Sequence, residues 1–306
     1  MDLRIQNLSY SSLLQLHACP RKFQLQKLNA AVDLDEDTSS SVTFSFGHTV
    51  GVGVATLLET DSLDTAIFKA FLEWKPELFA DNPRQAKSFW LAVLALQKFH
   101  DLRETGFLEE WELMYFEGKP AIELSFIILL PNGFKYRGFV DAVLRNKETG
   151  EIMVLECKTT SASTVYSAQY KNSAQAVGYS VVLDHLCPDL SSYQVLYLPY
   201  KTKAREFEPM LFNKSYLSRA LWLRELLLDC DTIMMYEEAG IYPMHGESCL
   251  DFFRECEYFN LCTLPTERLT SPLNAEEEAA LLKEHTTFQF QVPISALIEA
   301  QLAKDI

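Results

Sequence analysis

Two short segments hold residue types that can do chemistry together: Arg137-Gly138-Phe139-Val140-Asp141-Ala142-Val143 and Val154-Leu155-Glu156-Cys157-Lys158. Side chains alternate faces along a strand, so Glu156 and Lys158 share a face with Ile152 and Val154. If Lys147–Gly150 is a four-residue loop, Asn146 pairs with Glu151, and counting back sets Asp141 opposite Glu156, within one residue of register. Two carboxylates directly opposed across a strand pair repel each other, and a divalent cation between them removes the penalty. Carboxylate, water and phosphate oxygens suit Mg²⁺ or Mn²⁺. The Lys158 ammonium, two residues on, would orient an attacking water and stabilise charge developing on a phosphate. The competing reading is a solvated strand face, since an isolated Glu-x-Lys occurs by chance in most proteins. The apolar neighbours Ile152 and Val154 on the same face speak against it.

The elements that must position these residues follow from periodicity. Ala121–Leu130, Phe134–Arg145 and Glu151–Thr159 alternate as strands, separated by turns at Pro131-Asn132-Gly133 and Lys147–Gly150. A helix is predicted over 166–186, then a strand over Tyr193–Tyr200. Before the meander the chain reads as helical: Ser9 is a predicted N-cap for a helix running to Phe23 and Leu25, and further helical patterns lie over 46–59, 62–74 and 83–104. After it comes a helix over 214–237 and then the cysteine-rich segment 245–262. Helix, three strands, helix and strand in that order predict a mixed α/β core.

Bulk properties bound the function. The 306 residues are 48% apolar, enough for one large core or two smaller ones, with no 18-residue apolar span and no apolar leader in MDLRIQNLSYSS. The expectation is a soluble, cytoplasmic protein that does not enter a membrane. A net charge of −15 argues against nucleic acid, but the charge is uneven. Between Lys158 and Arg205 five basic residues (Lys158, Lys171, Lys201, Lys203, Arg205) face two acids, Asp184 and Asp189. From Ala275 onward six acids accompany only Lys283 and Lys304.

The order of motifs resembles the RecB/Cas4-like branch of the PD-(D/E)XK nucleases. The residues that carry it are Ser12, Leu16, Cys19-Pro20-Arg21-Lys22-Phe23, then Gly47-His48, Gly138 with Asp141, Glu156-Cys157-Lys158-Thr159, and Gln175 with Tyr179. Each motif alone is weak, but five in order over residues 9 to 262 are specific. The resemblance implies a restriction-endonuclease-like core, a mixed sheet flanked by helices, with a helical N-terminal part and a Cys-rich C-terminal segment. The expected divisions are 1–118, 119–210, 211–268 packing back on the N-terminus, and an acidic tail 269–306. The implied activity is metal-dependent DNA hydrolysis, commonly from an end, in recombination, repair or replication; phage-encoded relatives and a CRISPR-adaptation role belong to the same resemblance. A non-catalytic DNA-binding or assembly protein on this fold is the competing class.

The same resemblance assigns roles. His48 would be a metal ligand with its other ring nitrogen held by an acceptor, and the Cys157 backbone carbonyl another. Gln175 and Tyr179, four apart on one helix face, would contact DNA or hold Lys158. Arg21, Lys171, Lys201, Lys203 and Arg205 are the expected DNA contacts. Cys19, Cys249, Cys256 and Cys262 match the iron–sulfur members, which hold a [4Fe–4S] cluster with one N-terminal and three C-terminal cysteines. The Cys256-x₅-Cys262 spacing fits that pattern. The Cys249-x₆-Cys256 spacing departs from it, since the resemblance implies Cys-x₂-Cys and Phe253 stands where the closer cysteine is usual. A structural Zn²⁺ site or buried free thiols are the alternatives, and Cys187 and Cys230 read as core residues. Glu276-Glu277-Glu278 with Leu281, Leu282, Phe288 and Phe290 is read as a solvated helix, with a protein-docking or DNA-mimicking tail as the special alternative.

Overall fold

The computed structural model describes residues 1–30, 38–74, 87–171, 173–187, 193–251, 254–265 and 288–291. The chain begins with α1 (Leu3–Gln6), β1 (Asn7–Leu8), α2 (Tyr10–Ala18), α3 (Pro20–Lys27), α4 (Thr38–Thr60), α5 (Leu63–Glu73) and α6 (Phe89–Glu104). Then come β2 (Trp111–Leu113), β3 (Tyr115–Phe116), β4 (Lys119–Pro120), β5 (Ile122–Leu129), β6 (Lys135–Asn146) and β7 (Ile152–Thr160). They are followed by α7 (Ser167–Lys171), α8 (Ala174–Leu186), β8 (Tyr193–Lys201), β9 (Glu206–Phe207) and β10 (Met210–Lys214). The last elements are α9 (Tyr216–Ala239), β11 (Leu250–Asp251), β12 (Arg254–Glu255) and β13 (Phe288–Gln291). No described helix is long and apolar enough to cross a membrane.

Contacts group the chain into two compact units. One comprises Met1–Asp35, Ser125–Phe139 and Arg219–Ile306; the other comprises Glu36–Leu124 and Val140–Ser218. In the second unit β6 and β7 are antiparallel, β7 and β8 parallel, and β8 and β10 antiparallel, so the sheet is mixed. One face carries Ala142, Leu144, Met153, Leu155, Leu196 and Leu198, packed on Phe46, Val50 and Leu57 of α4 and Leu96 and Phe99 of α6. Fully burying side chains of this size stabilises by roughly 1.5–3 kcal/mol each. The opposite face of β7 meets α8, whose Tyr179 hydroxyl donates to the Glu156 carboxylate at 2.7 Å.

The first unit draws its helices together with hydrogen bonds far apart in sequence. Ser9 caps α2 in a capping box with Ser12. The helix expected to continue to Leu25 breaks at Cys19, which is extended at φ −159° and ψ 106° because Pro20 follows it. His17 Nε2 lies 2.8 Å from Asp229 Oδ1, and Arg21 N–H donates to the Pro243 carbonyl at 3.0 Å.

Other expectations shift at their ends. The helix expected over 166–186 is two helices, α8 starting after an extended Ser173. The pattern expected from residue 83 begins as a helix at Phe89, capped by Ser88, and 83–86 lie outside the described residues. The acidic tail also falls outside them, except β13, where Phe288 and Phe290 sit in a strand parallel to β5 rather than downstream in a helix.

Candidate active site

All the residues expected to do chemistry on phosphate fall in the second unit. The Asn146 N–H donates to the Glu151 carbonyl at 2.9 Å, closing the loop with Gly150 at φ +74°. From there the ladder runs Arg145–Ile152, Leu144–Met153, Val143–Val154 and Ala142–Leu155. The next pair on that count is Asp141 and Glu156. Asp141 Oδ2 accepts the Cys157 N–H at 2.8 Å, which fixes its carboxylate over β7.

Glu156 is 1% exposed, and both its oxygens are engaged. Oε1 lies 2.5 Å from Lys158 Nζ, and Oε2 accepts from the Tyr179 hydroxyl at 2.7 Å. Lys158 also donates to Gln175 Oε1 at 3.1 Å, and Gln175 Nε2 donates to the Tyr179 oxygen at 3.0 Å. Lys158, Gln175, Tyr179 and Glu156 therefore form a closed ring of hydrogen bonds. The one-turn spacing of Gln175 and Tyr179 on α8 makes it possible, because it stacks both side chains over the exit of β7.

The electrostatics follow from crowding charge into a dry place. Burial pushes the Asp141 carboxyl well above the usual range, Glu156 pushes it further, and Lys158 and the Cys157 N–H pull it back. Burial works against the Lys158 charge, yet the adjacent Glu156 carboxylate holds the ammonium above its ordinary value. The Cys157 thiol is raised by burial and by Asp141, so it is no nucleophile.

His48 sits on α4 beside Gly47, where a Cβ would stand 3.3 Å from Thr159 Oγ1, so a side chain there would crowd β7. Its Nε2 lies 3.1 Å from Glu73 Oε2 on α5, leaving Nδ1 on the other edge of the ring. Glu73 was not singled out in the sequence: a glutamate near a helix end carries no periodic signal. Glu123 was also missed. It lies within electrostatic reach of His48, Glu156 and Asp141.

The donor set suits a hard divalent cation: two carboxylates on adjacent strands and an imidazole. Among the described residues no three His, Cys, Asp or Glu side chains stand close enough together to hold one. The hydrogen bonds explain why. Lys158 and Tyr179 occupy Glu156, the Cys157 N–H occupies Asp141, and Glu73 occupies one edge of His48.

The expected DNA contacts divide. Lys171, Lys203 and Arg205 are exposed. Lys201 is not a free cation: its ammonium lies 2.7 Å from Glu206 and 2.8 Å from Glu208. Arg21 is 6% exposed in the first unit, where it donates to Gln24 and to the carbonyls of Cys262 and Leu264. Its guanidinium closes the polypeptide onto itself, which corrects the expectation that it meets DNA.

The four cysteines of interest also lie in the first unit. The Cys256 N–H donates to the Cys249 carbonyl at 2.9 Å, and Ser248 and His245 both bond the Ala18 carbonyl beside Cys19. The Cys262 thiol is raised by burial and then by Cys256, Cys19 and Cys249. Cys256, Cys19 and Cys249 thus lie within electrostatic reach of Cys262, although no three of the described cysteines stand close enough together to hold a metal ion. Cys230 is buried in α9, as expected of a core residue.

A mixed sheet carrying opposed carboxylates, with a lysine two residues beyond the second, defines a class of phosphodiester-cleaving folds. A model of the PD-(D/E)XK nuclease superfamily matches residues 7–263, and the chain belongs to that superfamily. A solved structure from Eubacterium rectale, named "Putative exonuclease", is similar over 90% of this chain and 94% of its own, at 13% identity and a TM-score of 0.48. No curated protein matches the chain.

Proposed function

We propose that the protein is a Mg²⁺- or Mn²⁺-dependent deoxyribonuclease that degrades DNA from its ends. The observation that carries this is the closed ring of Lys158, Gln175, Tyr179 and Glu156 beside Asp141. A structural lysine–glutamate pair needs no such scaffold. A site that must hold one carboxylate oxygen and one ammonium at fixed positions does. Digestion from ends is supported by the RecB/Cas4-like order of the motifs.

Asp141, Glu156 and His48, with the Cys157 carbonyl, are the proposed holders of the cation. When bound, it supplies an activated water and neutralises phosphate charge. Glu73 fixes the His48 ring so that Nδ1 is the free edge. Tyr179 holds the orientation of the Glu156 carboxylate, and Gln175 holds Lys158. The Lys158 ammonium then faces the phosphate, orienting the attacking water and stabilising the charge that develops. Lys171, Lys203 and Arg205 are the proposed backbone contacts. In the first unit Cys19, Cys249, Cys256 and Cys262 are the proposed ligands of a [4Fe–4S] cluster, with Zn²⁺ as the alternative occupant.

The test is digestion of end-labelled linear and circular DNA by anaerobically purified protein with Mg²⁺ or Mn²⁺, beside Lys158→Ala. Degradation of linear DNA by the wild type alone supports the assignment, and the labelled products give the polarity. If neither protein cuts while both bind DNA, a binding module on this fold takes its place.

A further inference from the structure

The ammonium of Lys158 is met by Glu156 and Gln175, and its further neighbours are aromatic. Glu156 is level with Tyr197 in the parallel ladder of β7 and β8, so the Tyr197 ring stands on the face that carries Glu156 and Lys158. Tyr170 of α7 packs on that ring, with centroids 4.7 Å apart and planes at 46°. Burial raises the Tyr170 phenol and the Lys158 charge opposes the rise, so the hydroxyl lies within electrostatic reach of the ammonium. Tyr170 is half-buried, and its hydroxyl bonds no side chain among the described residues.

Helix α7 has 5 residues, too few to hold a helical turn in place unaided. Lys214, at the end of β10, supplies the anchor. Its ammonium donates to the Lys171 carbonyl at 2.7 Å and to the Tyr170 carbonyl at 3.3 Å, groups that lack partners within the helix. Lys214 is 4% exposed, and burial lowers its ammonium to about 8. Among the described residues no carboxylate pairs with it. A buried cation without a counter-ion is costly, and a methionine would fill the same space without that cost. The lysine is suited to a place where the residue it clamps must stand in one position.

We propose that Tyr170 touches the DNA, its hydroxyl donating to a phosphate next to the one that Lys158 faces, and that Lys214 is the positioning residue that holds it there. This rests on the nuclease reading above. It adds a neutral hydrogen-bond donor to the basic contacts, seated on a rigid ring rather than on a long mobile chain.

The test is binding of a fluorescein-labelled duplex, read by anisotropy for the wild type, Tyr170→Phe, Lys214→Met and the double variant. Ca²⁺ replaces Mg²⁺, because it still binds phosphate oxygens but does not impose the octahedral geometry of the smaller ion. Tyr170→Phe keeps the ring and removes the hydroxyl, and is expected to weaken binding on the order of tenfold. Lys214→Met should match it, and the double variant should bind no more weakly than either single one. Lys214→Gln repeats the measurement should the methionine variant fold poorly. In Mg²⁺ the same factor should appear in KM rather than in kcat. Binding by Tyr170→Phe within twofold of wild type overturns the contact, and losses that multiply in the double variant overturn the link to Lys214. Neither readout needs cleavage, so a chain that binds DNA and never cuts it sinks the nuclease reading while these outcomes still decide the contact. A wild type that binds no DNA overturns both.

Discussion

Tyr179 spends its single hydroxyl twice, accepting from Gln175 and donating to a carboxylate that water barely reaches. Replacing it with Phe keeps the ring in place and removes both bonds. A buried carboxylate short of a donor costs about 1–3 kcal/mol, so Tyr179→Phe should lower the urea midpoint. Because Glu156 and Lys158 also lose their bracing, kcat should fall roughly 10–100-fold, and steady-state cleavage over a Mg²⁺ titration checks this. Full activity would mean that the ring is scaffolding only. Lys27 makes a different case. Burial and then Arg137 lower its ammonium to about 8 from 10.5, and it donates to the Asn7 carbonyl. Between those values the unfolded chain binds the proton that the native state has released, so this residue makes stability rise with pH. Lys27→Met should flatten the rise of urea stability between pH 8 and 10 relative to wild type. An unchanged slope would show that the ammonium is solvated.

Helix α4 has two glycines that look alike in sequence and differ in the fold. At Gly51 an added Cβ meets nothing within 4 Å, whereas at Gly53 it would lie 2.4 Å from Leu96 Cδ2 on α6. Helix propensity favours alanine over glycine by about 1 kcal/mol at either place. Overpacking a closed core costs about 1–3 kcal/mol, so the two effects separate. Gly51→Ala should raise Tm and Gly53→Ala should lower it, by differential scanning fluorimetry; equal shifts would place α6 away from α4. The same contrast shows what was legible in advance. The hairpin of β6 and β7 was readable because alternation and a four-residue loop fix register without long-range information. The turn of the other hairpin was just as readable: Pro131-Asn132-Gly133 was expected to separate two strands, and the Leu130 N–H donates to the Phe134 carbonyl across it. The positive φ of Glu123 and the reach of Glu73 to His48 were not, since each depends on packing between elements distant in sequence. The break at Cys19-Pro20 was written locally and overruled a longer apolar period.

Across the molecule, a net charge of −15 must be reconciled with a polyanionic substrate. Of the basic stretch beyond Lys158, Lys201 is already paired with two glutamates, and exposed Lys171, Lys203 and Arg205 remain. Phosphate contacts release counterions, with log K falling by about 0.9 per contact for each unit of log salt. Three contacts therefore predict a slope of roughly −3 for duplex DNA, shallow for a DNA-binding protein. Fluorescence anisotropy between 50 and 200 mM salt, the range over which such slopes are read, would measure it on Lys158→Ala with Mg²⁺ present. The double change Lys203→Ala and Arg205→Ala should make the slope shallower by roughly 2, and Lys201→Ala should leave it alone. A wild-type slope several units steeper would mean that basic residues outside this stretch carry the binding. A slope near −3 would mean that the cation, not the surface, supplies most of the attraction, so that affinity should collapse in EDTA. On that outcome an acidic nuclease of this build would engage DNA chiefly where the ion reaches a phosphate.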